Sequence, residues 1–224
     1  MRASLIIPAL NEADCLGQVL AEVPTDLLHQ VIVVDNGSTD DTARVAREAG
    51  ATLIAEPRRG YGFACAAGAA AAGGEVLVFM DGDGSFVPTE LVDLLAPFLV
   101  DSADLVLGAR RTRASGSEVM PPHQRLGNRL FAWLLRWRYG LALTDLGPFR
   151  AIRRELLLAL DMQEHTHGWP LEMIIKAARA RKRILEVPVS YRPRAAGQSK
   201  VGGTLRGSVL SAYRYSRVLL RHAF

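Results

Sequence analysis

The chain has 224 residues, 49% of them hydrophobic and 22% charged, enough for one domain with its own core and too apolar for wholesale disorder. Its net charge of +4 hides an asymmetry: residues 1–109 carry 5 basic against 16 acidic side chains, residues 110–224 carry 22 against 7. Two cysteines, Cys15 and Cys65, are too few for a disulfide-stapled domain, and no signal-peptide pattern or run of ~20 apolar residues occurs, so the expectation is a cytoplasmic, non-spanning chain with buried thiols.

In chain order, Ser4–Ile7 is an apolar run stopped by Pro8, and Glu12–Glu22 has helical spacing through Leu16, Val19 and Leu20. Val31–Val34 is β-branched and apolar, as expected of a strand buried on both faces of a parallel sheet. Asp40–Ala49 reads as a helix closed by Gly50, with Ser38 or Thr39 as its cap. Thr52–Ala55 is a third strand, Tyr61–Ala72 an alanine-rich helix able to lie close on a sheet, Val76–Met80 a fourth strand, Glu90–Val100 a helix and Asp104–Leu107 a fifth strand. Beyond Arg110 the alternation stops. Ala114–Pro122 is loop-like, Leu126–Leu143 and Pro170–Ala180 are helices, Ile184–Val189 is strand-like, Tyr191–Gly203 is a basic loop and Leu205–Arg221 a last helix. No repeat or linker divides the chain, so a single domain over 1–224 is expected.

Such β/α alternation predicts an α/β fold, a mostly parallel sheet flanked by helices with ligands at the carboxyl ends of its strands. Acid and base collect at those ends: Asp35 after the second strand, Arg58-Arg59 after the third, Asp81 and Asp83 after the fourth, Arg110 after the fifth. The hard oxygens of Asp81-Gly82-Asp83 suit Mg²⁺ or Mn²⁺, which bridges a diphosphate; the plain alternative is a solvated Asp-Gly turn. Asp35 is placed to accept hydrogen bonds from a base or ribose. Gly60-Tyr61-Gly62 lacks the third glycine of a dinucleotide fingerprint, although a glycine turn beside Arg58 suits phosphate.

Three segments, Ile7-Pro8-Ala9-Leu10-Asn11-Glu12, Val33-Val34-Asp35-Asn36-Gly37-Ser38-Thr39-Asp40 and Asp81-Gly82-Asp83, resemble family 2 glycosyltransferases of GT-A fold. Later segments are similar to the dolichyl-phosphate mannosyltransferase branch, which makes polyprenyl-phosphate sugars. These are Asp145-Leu146-Gly147-Pro148-Phe149-Arg150, Gly168-Trp169-Pro170-Leu171-Glu172-Met173, Glu186-Val187-Pro188-Val189, Arg194 and Gly197-Gln198-Ser199-Lys200. The resemblance implies a nucleotide-sugar-binding half over 1–110 and an acceptor-binding half over 111–224. It implies a nucleoside pocket lined by Pro8, Leu10, Glu12 and Asp35, with Arg58, Asp81 and Gly82 also on the nucleotide. Asp81 and Asp83 would hold the metal and diphosphate, and Arg110, Arg194 and Lys200 the donor and acceptor phosphates. Two positions depart from the pattern: Ser85 stands where a glutamine assists the metal, and Gly147-Pro148 where Ser-Gly precedes Phe-Arg, which leaves the third metal ligand and the acceptor open.

The implied reaction is transfer of a hexose from a nucleotide sugar to a polyprenyl phosphate, with inversion. A phosphate acceptor is already an anionic nucleophile; a hydroxyl acceptor needs a base, for which Asp145 and Glu172 are the candidates. The plain alternatives are a capped turn for Asp145 and an exposed helix position for Glu172. Leu126–Trp137 and Leu205–Arg221 mix leucines, aromatics and arginines, the composition of core-packing helices or of helices lying peripherally on a membrane. The competing functions are a glycosyltransferase for a hydroxyl acceptor and a catalytically silent nucleotide-sugar-binding protein. A nucleic-acid binder is disfavoured, because the positive charge is interleaved with apolar residues and no recognition motif occurs.

Overall fold

The computed structural model describes residues 1–110, 122–194 and 215–222. Strands β1 (Ala3–Ala9), β2 (Gln30–Asp35), β3 (Thr52–Ala55) and β4 (Val76–Phe79) alternate with helices α1 (Ala13–Ala21), α2 (Thr42–Glu48) and α3 (Tyr61–Ala71). Helix α4 (Leu91–Leu99) leads to β5 (Leu105–Arg110), and α5 (Pro122–Tyr139), β6 (Arg150–Arg153), α6 (Arg154–Ala159), α7 (Trp169–Arg179) and β7 (Ile184–Val189) follow. The seven strands form one sheet in the order β3-β2-β1-β4-β6-β5-β7. Only β6 runs against its neighbours β4 and β5; every other pairing is parallel.

Alternating side chains of the strands feed two cores. Ile6, Ile32, Val34, Phe79, Leu105 and Leu107 pack with α3, α5 and α7 on one face. Leu5, Ile7, Val33, Val76 and Val78 pack with α1 and α4 on the other. Burial on both faces explains why these strands are almost continuously apolar. Helix α3 presses Ala64, Cys65, Gly68 and Ala69 inward, so small side chains let it lie close. Cys15 and Cys65 are both buried thiols, not joined in a disulfide.

Sequence reading missed β6 and α6. Arg150-Ala151-Ile152-Arg153 has arginine at both ends and no period-2 signal; it is a strand because it closes the gap between β4 and β5. The α5 helix stops at Tyr139 rather than Leu143, because Gly140 takes φ +70° and its N–H bonds Arg136 O at 2.8 Å, a glycine-terminated end. Neither Ser38 nor Thr39 caps α2: both bond Asn11, while the Asp40 carboxylate accepts the Thr42 N–H at 3.0 Å. The expected helix over 205–221 lies partly outside the described residues; 215–222 is helical.

Among the described residues, no helix is long and apolar enough to cross a membrane. The outward side of α5 mixes apolar and basic side chains: Phe131 and Leu135 face the core, while Leu130, Trp133 and Trp137 are exposed, at 59% and 69% for the two tryptophans, among exposed Arg129, Arg136 and Arg138.

Candidate active site

The β1–α1 and β2–α2 connections are laced together. Asn11 sits at φ +52° and donates its N–H to Ser38 Oγ at 2.9 Å, while its Oδ1 accepts the Thr39 N–H at 2.7 Å. Glu12 N–H meets Thr42 Oγ1 at 2.9 Å and Ala13 N–H meets Asp40 Oδ2 at 3.1 Å. Parallel pairing sets Pro8 against Val34 and Ala9 against Asp35, so Pro8, Leu10, Glu12 and Asp35 share the carboxyl rim of β1 and β2. Asp35 Oδ1 accepts the Ser38 N–H at 2.8 Å, which orients its carboxylate.

Asn36, given no role in the sequence reading, ties this rim to the β3–α3 loop. It donates to Glu56 O at 3.0 Å and Arg58 O at 2.7 Å, and accepts the Gly60 N–H at 2.8 Å. Arg58 forks onto Glu56 at 2.9 and 2.7 Å and lies 4.5 Å above the Phe63 ring. Its hydrogen bonds hold the Glu56 carboxyl down at about 2. With the arginine side chain 65% exposed, this pair is screened by water and contributes little stability. Arg58 stands at the rim with its guanidinium already engaged.

The Asp81-Gly82-Asp83 turn follows β4 directly, beside β1. Gly82 is pressed inward: a Cβ there would lie 3.0 Å from Ile7 Cγ2. Asp83 is buried, its Oδ1 accepting the Ser85 N–H at 2.9 Å. Ser85 is buried too, and its carbonyl accepts the Arg192 N–H at 2.8 Å. Burial, then the neighbouring Asp83 charge, push the Asp81 carboxyl up to about 7, against the pull of Arg194 and Arg110. Two crowded carboxylates beside the Arg194 guanidinium are a natural seat for a divalent ion. Among the described residues no cluster of three or more His, Cys, Asp and Glu is spaced to hold a metal. Two carboxylates therefore fit Mg²⁺ or Mn²⁺, which keeps waters and takes phosphate oxygens for its remaining positions, better than a metal needing a full protein cage.

After β7 the chain is fastened to the segment behind this turn. Ser190 bonds Glu90 through N–H and Oγ at 2.7 and 2.6 Å, and Tyr191 bridges to Phe86. Three residues on, Arg194 Nη2 reaches Asp83 Oδ2 at 2.7 Å and Nη1 lies 3.7 Å from Glu12 Oε1. Lys200 lies outside the described residues.

Arg110, at the end of β5, lies 5.2 Å from the Tyr191 ring centroid and is gripped by Asp145. Asp145 Oδ2 accepts its backbone N–H at 3.0 Å and its Nε at 2.7 Å, and Oδ1 accepts Nη2 at 2.7 Å. Burial opposes both charges, but these bonds outweigh it, raising the Arg110 pKa and lowering that of Asp145. Glu186, whose role the sequence reading did not find, accepts the Thr144 and Asp145 N–H groups at 2.9 Å and the Thr144 hydroxyl at 2.8 Å. Gly147 is needed here, since a Cβ would lie 2.5 Å from Gly108 O. Arg150, fully buried, donates to Pro170 O at 2.7 Å and to the Leu146 and Gly147 carbonyls, tying this turn to α7.

Glu172 is fully buried, not an exposed helix residue. Its carboxylate accepts the Gln163 N–H at 2.9 Å and the Glu164 N–H at 2.7 Å, and pairs with Lys176 Nζ at 2.8 Å. It holds the 163–164 backbone onto α7. The rim thus brings together Glu12, Asp81, Asp83, Arg110, Asp145 and Arg194.

Residues 4–160 match the family model "Glycosyl transferase family 2". An uncharacterised glycosyltransferase of Mycobacterium tuberculosis is 42% identical over 216 residues, covering 96% of this chain and 97% of that one. A dolichyl-phosphate hexose transferase of Haloferax volcanii is 35% identical over 210 residues, covering 92% and 90%. The crystal structure of glucosyl-3-phosphoglycerate synthase from M. tuberculosis with Mn²⁺, uridine diphosphate and glucosyl-3-phosphoglycerate superposes with a TM-score of 0.79 at 25% identity, covering 99% of this chain and 80% of that one. A mostly parallel sheet with acid and base gathered at its carboxyl rim, a family match over residues 4–160 and relatives at this level of identity make one statement: the chain is a glycosyltransferase and belongs to glycosyl transferase family 2.

Proposed function

We propose that the chain transfers a hexose from a nucleoside-diphosphate sugar to the phosphate of a polyprenyl phosphate by direct displacement with inversion. The observation that carries the acceptor is the engagement of both candidate bases. Asp145 is taken up by Arg110 and the Leu146 N–H, and Glu172 by two backbone N–H groups and Lys176. A hydroxyl acceptor needs a base at that point, whereas a phosphate monoester brings its own anionic oxygen. The 35% identical dolichyl-phosphate hexose transferase supports the same acceptor class.

In this reading 1–110 is the donor half and 111–224 the acceptor half. Pro8, Leu10, Glu12 and Asp35 receive the nucleoside, with Arg58 at the edge. Asp81 and Asp83 hold Mg²⁺ or Mn²⁺, with Ser85 orienting Asp83; bound there, the ion neutralises the charge of the departing diphosphate. Arg110, Arg194 and Lys200 grip phosphate oxygens, and Asp145 fixes Arg110 so that no reorganisation is needed as charge moves. An acceptor phosphate oxygen attacks the anomeric carbon, the bond to the diphosphate oxygen breaks, and the diphosphate leaves with the electron pair. Proximity supplies much of the acceleration, because both reactants are held in line.

The exposed Leu130, Trp133 and Trp137 share a helix face with Arg129 and Arg136, and α5 contains no acidic residue. That face fits an anionic bilayer surface, from which a polyprenyl chain cannot depart. A second reading, transfer to a small phosphorylated acid, is favoured by the superposition with glucosyl-3-phosphoglycerate synthase over 99% of this chain.

The test is to incubate the protein and Mn²⁺ with a panel of nucleotide sugars plus polyprenyl phosphate or 3-phosphoglycerate and identify the product by mass. A hexosyl polyprenyl phosphate that forms with wild type and not with Asp83→Asn or excess chelator supports the proposal. A glycosylated phosphoglycerate alone, or chelator-resistant turnover, contradicts it.

A further inference from the structure

Arg194 holds a place that a divalent ion would contest. Its Nη2 lies 2.7 Å from Asp83 Oδ2 and its Nη1 3.7 Å from Glu12 Oε1, with both carboxylate side chains under 10% exposed. A hard cation entering between Asp81 and Asp83 and the guanidinium on Asp83 compete for one oxygen, because a planar fork and a metal approach a carboxylate along overlapping directions.

We propose that Arg194 is a built-in counter-cation that neutralises the acidic rim until metal and nucleotide arrive, and that metal entry displaces it from Asp83 toward the diphosphate. This rests on the metal reading above and deepens it.

The displacement is short for a geometric reason. Residues 190–192 are fastened by the Ser190–Glu90 bonds, the Tyr191–Phe86 bridge and the Arg192 N–H on Ser85 O. Arg194 is therefore delivered on a fixed stem, two residues beyond an anchor on the same turn that carries Asp83. Side-chain rotation moves the guanidinium from carboxylate to phosphate without moving the stem. With Asp81 and Asp83 holding a metal, the Arg194 guanidinium would be left to bind anionic oxygen on the incoming nucleotide. One consequence is synergy, in which metal binds weakly alone and tightly with nucleoside diphosphate, since the diphosphate offers Arg194 anionic oxygen in place of the Asp83 carboxylate.

The test reads Mn²⁺ binding to the full-length protein by electron paramagnetic resonance, without and with uridine or guanosine diphosphate. Arg194→Gln should bind Mn²⁺ alone about tenfold more tightly than wild type, the lower end of what a cation at this distance does to a carboxylate's affinity for a proton. In the same variant the gain in Mn²⁺ affinity on adding nucleotide should shrink. Arg192→Gln, on the same segment but paired with Glu22 at 3.6 Å, should leave Mn²⁺ affinity within about twofold of wild type, as an exposed pair does. Unchanged or weaker Mn²⁺ binding by Arg194→Gln, or an equal gain in both variants, overturns the inference while leaving the metal site standing. Mn²⁺ binding undiminished in Asp83→Asn would instead remove the metal site, and the inference with it.

Discussion

Asp145 and Arg110 are joined by three hydrogen bonds across 35 residues of sequence, two from the guanidinium at 2.7 Å and one from the backbone at 3.0 Å. The pair is nearly closed to water, with the Arg110 side chain 15% and the Asp145 side chain 8% exposed. At such burial the cost of separating the partners, not their attraction, decides what a mutation does.

Asp145→Asn should lower stability by about 3 kcal/mol, because it leaves a buried guanidinium without its counter-charge. Turnover should fall with it, and the rate that remains should keep the wild-type pH dependence, as expected of a carboxylate that positions Arg110 rather than taking a proton. Thermal unfolding and a pH–rate profile check both. A variant as stable as wild type that lost its acid-limb ionisation would make Asp145 a base.

Glu172→Gln is expected to cost about 2 kcal/mol, since an amide nitrogen must face a backbone N–H donor in a site with no exposure. Turnover per folded molecule should stay within about threefold of wild type, a barrier change under 1 kcal/mol. Urea unfolding with activity measured below the transition separates the two. Loss of turnover without loss of stability would move Glu172 into the chemistry.

The start of β5 supplies a pH dependence. Hydrogen bonds from Arg183 outweigh burial and hold the Asp104 carboxyl at about 2, below its ordinary 3.8. A carboxyl lowered on folding adds stability above its unfolded value and loses it as pH falls through the folded one. Asp104→Asn should therefore destabilise at neutral pH and flatten the acid limb of the stability curve between about 4 and 2. An acid limb identical to wild type in chemical denaturation would contradict this. The effect is modest, since Arg183 is 46% exposed and screened.

The α5 face carries a membrane prediction. Binding to anionic vesicles should weaken as salt rises, with arginines near the surface contributing about 1 kcal/mol each, and a salt-insensitive remainder should come from the buried aromatic rings. Replacing Trp133 and Trp137 with serine should remove most of that remainder in a co-sedimentation assay. Wild type that stays in the supernatant at low salt with anionic lipid would turn the face into a contact with protein.

The first half of this molecule was legible in sequence because its strands are apolar runs with charged side chains gathered at or just past their carboxyl ends. β-branched runs name β1, β2 and β4, and Asp35, Asp81 and Arg110 stand where a parallel sheet presents ligands. The antiparallel β6 was not legible, because arginines bound it and its strand character comes from its two neighbours. Nor was the engagement of Asp145, which depends on Arg110 and Glu186, 35 and 41 residues away. The burial of Glu172, a candidate base or an exposed helix position in sequence, was hidden for the same reason: only the folded 163–164 backbone brings the donors its carboxylate meets. Spacing finds residues that act along one strand or helix and misses those defined by partners on another.

In the proposed reaction the acceptor supplies its own nucleophilic charge. The measurement that bears on it most directly is the initial rate of hexose transfer to polyprenyl phosphate against that to the unphosphorylated polyprenol, in the same Mn²⁺ buffer with the same donor. Transfer to the phosphate should exceed transfer to the alcohol by at least about 100-fold, the lower end of what a missing general base costs. Equal rates, or a preference for the alcohol, would contradict the account and require a base that neither Asp145 nor Glu172 is free to be.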